Sequence, residues 1–97
     1  MAQSKKTLSL HVTFGTAQTD TVVLTPGSGD YLFIWNVIVE APDVGTYELK
    51  FPTSGLVVEG IGGTTGSYGV NKSGNDDEDL EFTCPANTTL RILFDEI

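Results

Sequence analysis

The chain has 97 residues, 13 of them acidic and 5 basic, for a formal net charge of −8. That length suits one domain with one core and is too short for two. Phosphate binding needs clustered Lys and Arg, and Lys50, Lys72 and Arg91 stand far apart, so neither nucleic acid nor an anionic membrane is an expected partner.

Residues 1–7 show no hydrophobic pattern and hold the adjacent pair Lys5-Lys6, which reads as a flexible, basic N-terminal arm. The remaining residues, 8–97, carry −10 once those two lysines are set aside, so arm and body are of opposite charge. The start Met-Ala-Gln-Ser-Lys-Lys lacks the apolar core of a secretory signal, and synthesis in a cytosol is the expectation.

Leu8-Ser9-Leu10-His11-Val12-Thr13-Phe14 alternates apolar and polar residues throughout, the pattern of a half-buried strand. It sets His11, the single histidine, on the polar face. Thr19–Leu24 reads as a second strand, and Thr25-Pro26-Gly27-Ser28-Gly29-Asp30 breaks it with residues that turns prefer. A glycine-rich segment cradles phosphate only ahead of a helix N-terminus. The segment after this one is extended.

Tyr31–Glu40 is the most apolar and aromatic stretch and reads as the central strand. Period-two alternation places Tyr31, Phe33, Trp35, Val37 and Val39 on one face and Leu32, Ile34, Asn36, Ile38 and Glu40 on the other. Thr46–Phe51 alternates again, with Tyr47, Leu49 and Phe51 inward, and is expected to pair with the central strand. Leu56–Glu59 reads as a short strand. Residues 64–79 read as the least structured part of the body, in which Tyr68 and Val70 could pin a short strand and Tyr68 is a candidate exposed loop contact. The run Asp76-Asp77-Glu78-Asp79 supplies carboxylates of the kind calcium uses, but without the spaced ligands and glycine of an EF-hand loop, so it reads as a solvated loop. Leu80–Cys84 and Thr88–Ile97 close the chain, with Leu80, Phe82, Cys84, Leu90, Ile92 and Phe94 inward.

Seven or eight strands at intervals of about 8 to 12 residues, with no helical period, predict an all-β antiparallel sandwich of jelly-roll type. Catalytic machinery is not expected. One outward histidine cannot complete a nucleophilic triad with an inward Cys84, and one Cys with one His cannot build a zinc site. Glu40, Glu48 and Glu59 fall on strands, with Glu48 on a solvent side. No catalytic residue, metal site or cofactor is therefore assigned.

The run Val22 to Val39, a turn feeding a long apolar strand, continues through Gly45–Phe51, a glycine-rich middle and Cys84–Ile92. This layout resembles the small jelly-roll virion proteins of tailed phages and related viruses, the head-decoration (cement) and head or tail accessory proteins. The resemblance implies a non-enzymatic structural protein of the virion, made in the host cytoplasm and self-associating, with a trimer favoured. Its partner would be the major capsid or tail protein of the same virus. On that reading Lys5 and Lys6 would latch an acidic neighbour, and Tyr31, Phe33 and Trp35 would face a partner subunit. The alternative is a β-sandwich module that binds carbohydrate or protein, with Tyr68 as the exposed aromatic contact.

Overall fold

The computed structural model describes residues 6–97. Among these residues there is no helix, and eight strands succeed one another in chain order: β1 (Lys6–Phe14), β2 (Gln18–Leu24), β3 (Leu32–Ala41), β4 (Thr46–Phe51), β5 (Gly55–Ile61), β6 (Thr64–Ser73), β7 (Leu80–Cys84) and β8 (Thr88–Glu96). They form two four-stranded antiparallel sheets, ordered β1-β8-β3-β6 and β2-β7-β4-β5. This is the two-sheet, eight-stranded jelly roll.

Alternation explains most of the core. Leu90, Ile92 and Phe94 of β8 and Leu80, Phe82 and Cys84 of β7 are buried as their spacing requires, and Leu10, Val12 and Phe14 of β1 pack against them from the sheet edge. Burying such side chains is the main stabilising term of a small domain, each contributing about 1.5–3 kcal/mol.

Pairing differs from the expectation in one respect. β3 and β4, consecutive in the chain, do not pair. β3 lies between β8 and β6, and β4 lies between β7 and β5 in the opposite sheet. The segment 42–45 therefore carries the chain across the sandwich. Alternation reports which face of a strand is buried and nothing about which strand lies beside it.

The stretch 64–79 also departs from the sequence reading. Residues 64–73 form β6, ten residues long, paired with β3 from Phe33↔Ser73 to Ala41↔Thr64. Its glycines hid it, because Gly is depleted in strands. Gly66 of β6 and Gly60 of β5 serve close approach. A side chain at either position would collide with the hydroxyls of Tyr47 and Tyr68, which hydrogen-bond each other across the gap between the sheets. Burial and that bond push the Tyr47 phenol up to about 12.

The acidic run is not merely solvated. Glu78 is 8% exposed and accepts hydrogen bonds from the backbone amides of Thr53 (2.5 Å), Ser54 (2.8 Å) and Asn75 (2.8 Å) and from the Ser54 hydroxyl. It clasps the β4–β5 turn to the β6–β7 loop. Burial by itself would raise its pKa, but the bonds from Asn75, Ser54 and Thr53 outweigh burial and lower it from 4.5 to about 2. The neighbouring Asp77 accepts from the Gly29 amide at 2.7 Å and so ties the β2–β3 turn to the same loop.

A carboxylate with a depressed pKa stabilises the fold above its unfolded value, and that contribution is lost as pH falls through the folded value. The shift at Glu78 corresponds to about 3 kcal/mol. Glu78→Gln is expected to lower unfolding free energy by about 2–3 kcal/mol at pH 7. In urea titrations at descending pH, the gap between wild type and variant should narrow from about pH 4.5 downward and close near pH 2.

Candidate interaction surface

β3 carries an irregularity that decides what the protein shows to solvent. Ile34 pairs with Phe94 and Asn36 with Leu93, so two steps on β3 match one on β8, and the register to β6 slips at the same place. This is a β-bulge centred on Trp35. Before it Leu32 and Ile34 point inward, and after it Val37, Val39 and Ala41 do. The sequence-predicted face of Tyr31, Phe33, Trp35, Val37 and Val39 is thus split. Val37 and Val39 join the core, Phe33 and Trp35 lie on the outer face, and Tyr31, half-buried, sits just ahead of β3. Strict alternation would have buried Trp35 or exposed the valines. The extra residue avoids both.

Trp35 is 38% exposed and meets the Phe33 ring edge-on at a centroid distance of 4.7 Å. Its indole nitrogen donates at 2.8 Å to Asp95, which is fully buried although it points out of the sandwich. The Thr7 hydroxyl donates to the other Asp95 oxygen at 2.7 Å. Thr7, Asp95 and Phe33 are register partners across β1, β8 and β3. A buried carboxylate is tolerable only when its oxygens are hydrogen-bonded, and these side chains provide that on the outside of a sheet. No signal in the sequence announces this arrangement, because Asp95 reads as an ordinary exposed strand residue.

Beside this aromatic corner lies an open depression of about 280 Å³ whose lining includes Ser9, His11, Asn36, Ile38, Arg91 and Leu93. Leu93 is 43% exposed, and Arg91 is held by Glu40 at 3.3 Å. Apart from the covered Asp95, the charged side chains on this face among the described residues are Arg91 and Glu40, which balance. The other sheet differs. Its outer face shows Asp20, Glu48, Glu59 and Glu81 against Lys50, a net −3, with Lys50 bound to Asp20 at 3.1 Å and to Glu48 at 3.7 Å. The molecule thus presents one balanced face with aromatic and aliphatic groups and one acidic face.

The other residues singled out from the sequence are scattered. Lys5 lies outside the described residues. Lys6 opens β1, so the strand begins inside the segment read as an arm, and Thr7 is bonded to Asp95. Tyr68 is not in an exposed loop: it lies in β6, half-buried, against the core and Tyr47. Cys84 is buried, and burial raises its thiol pKa. His11 is exposed on the opposite sheet. Among the described residues no group of three or more His, Cys, Asp or Glu side chains is placed to hold a metal ion, and no helix is long and apolar enough to cross a membrane.

No protein-family model matches the chain, and no curated protein matches it. Among solved structures, the chain is similar to that of the extra small virus (XSV) VLP of the giant freshwater prawn Macrobrachium rosenbergii, with a TM-score of 0.43 and 15% identity over 99% of this chain and 80% of that one.

Trp35→Phe keeps an aromatic ring and removes the donor to Asp95. Leaving a buried carboxylate short of one partner costs about 1–3 kcal/mol, and chemical denaturation traced by circular dichroism should show a loss of that size. Phe33→Leu, which disturbs no hydrogen bond, should cost less.

Proposed function

We propose that this chain is a non-enzymatic structural protein of a virion that works by self-association and by seating on the capsid or tail of the same virus, as a decoration or accessory subunit. The observation that carries this reading is the outer face of the β1-β8-β3-β6 sheet. In a chain of net charge −8, it is a charge-balanced surface that displays Trp35 and Leu93 to solvent. Aromatic anchors with few net charges at the centre are the composition of protein interfaces. The eight-stranded jelly roll is the fold of many viral capsid domains, and also of lectins, so the fold adds support by analogy only.

The acidic remainder supports the same reading. Like-charged copies repel over most of their surface, so association has to involve the face where charge is balanced. The N-terminal lysines have the opposite sign to the body and suit an acidic neighbour. Assembly as a trimer, residence in the virion and synthesis in the host cytoplasm belong to this proposal.

One observation favours a second reading. Carbohydrate recognition needs an exposed aromatic platform, and Trp35 offers one where Tyr68 does not. Under that reading Trp35→Ala abolishes glycan binding while the protein stays monomeric.

Light scattering across a dilution series separates the two. The structural reading expects a stable oligomer, reduced to monomer by Leu93→Asn with little change in melting temperature, since Leu93 already faces solvent. Deleting residues 1–5 is expected to weaken binding to the particle without unfolding the domain. A strict monomer that binds a glycan through Trp35 would replace the structural reading.

A further inference from the structure

Two cross-strand pairs differ in charge, one setting acid against acid and the other setting a guanidinium beside an imidazole. On the outer face of the β2-β7-β4-β5 sheet, Glu48 of β4 is the register partner of Glu59 of β5. On the outer face of the other sheet, His11 of β1 is the register partner of Arg91 of β8. Like charges directly opposite destabilise a sheet, and opposite charges stabilise it. The glutamate pair is only partly relieved, because Lys50 reaches Glu48 at 3.7 Å while also binding Asp20 at 3.1 Å. Arg91 retains half of its side-chain exposure beside Glu40. The isolated chain therefore holds a partly relieved acidic pair on one face and, on the opposite one, a half-exposed guanidinium within a face whose charges balance.

Apolar exposure has the same division. Leu93 and Trp35 lie beside Arg91, at 43% and 38% exposure. Leu56 and Ile61, at 45% and 69%, flank the acidic pair on β5. Each face thus combines exposed hydrophobic side chains with charge, Arg91 on one and the glutamate pair on the other.

We propose that copies of this chain associate head to tail, the outer face of the β1-β8-β3-β6 sheet of one copy seating on the outer face of the β2-β7-β4-β5 sheet of the next. The contact rests on the self-association of the structural reading and names the surface that completes it. A symmetric contact between two first-sheet faces would leave both glutamate pairs unrelieved. A symmetric contact between two second-sheet faces would stack a net −3 on a net −3. Only the mixed contact sets Arg91 against Glu48 and Glu59. A heterologous contact of this kind closes into a ring where the rotation between copies permits and otherwise runs on as an open assembly.

A charge exchange tests this. Arg91→Glu and Glu59→Lys each reverse one side of the contact, and the double variant R91E/E59K restores opposite signs across it. Sedimentation velocity over a dilution series of the full chain is expected to show each single variant self-associating about tenfold more weakly or worse, with the double variant recovering most of the wild-type association. Wild-type association should also weaken as salt is raised. Should either reversal unfold the domain by circular dichroism, Arg91→Gln and Glu59→Gln serve instead, and each is then expected to weaken association singly. Unchanged association of the Glu59 variant in an oligomeric wild type would overturn the head-to-tail contact and leave self-association standing. Failure of the double variant to recover would also overturn it. A wild type that stays monomeric at every concentration would remove both this contact and the self-association beneath it.

Discussion

The extra residue in β3 at Trp35 is the constraint on which the outer surface depends. In a two-sheet sandwich a strand packs one face only on the core, and a chain reading Tyr-Leu-Phe-Ile-Trp-Asn-Val-Ile-Val has apolar groups on both. The bulge resolves this by exchanging faces midway. Leu32 and Ile34 fill the core at one end of the strand and Val37 and Val39 at the other, while the bulky tryptophan is left outside. Close-packed interiors make the alternative costly, since forcing an indole among Ile34, Leu90 and Ile92 would overpack the core by about 1–3 kcal/mol or more.

Once Trp35 is outside, Asp95 can be buried outside as well. The indole nitrogen, the Thr7 hydroxyl and the Phe33 ring convert a surface carboxylate into a covered one. This removes a negative charge from the exposed part of a sheet face in a strongly acidic chain. The balance of charge on that face derives from the bulge through Asp95. Elsewhere carboxylates are used as fasteners. Glu78 gathers two loops, Asp77 holds the β2–β3 turn, and Glu96 accepts from the Gly27 amide at 2.8 Å. Acidity here is partly structural, and loops that carry no apolar anchor are fixed by hydrogen bonds to charged acceptors, which are the stronger kind.

Where the like charges crowd, the cost is visible. Asp30 shares a hydrogen bond with Glu96 and lies near Asp77 and Asp76, and these raise its pKa. The Glu48–Glu59 pair repeats the pattern on the outer face of one sheet, where Lys50 relieves it only in part.

The class of fold and much of its core were legible in the order of residues. Alternation and turn residues placed β1, β4, β7 and β8 to within a residue or two, put Cys84 and Phe82 inside and His11 outside, and predicted a sandwich of jelly-roll type. These are local properties, because side-chain direction in a strand repeats every two residues whatever lies beside it. The rest was settled by tertiary structure. Strand pairing across the sandwich, the glycine-rich β6 that packs Tyr68 on Tyr47, the bulge that moved Trp35 out, and the conversion of Glu78 and Asp95 into buried, bonded groups all depend on residues distant in the chain. So do the opposed Glu48 and Glu59, whose encounter is a matter of register. A one-residue slip reverses every face of a strand, and register is settled only when the two sheets close on a common core.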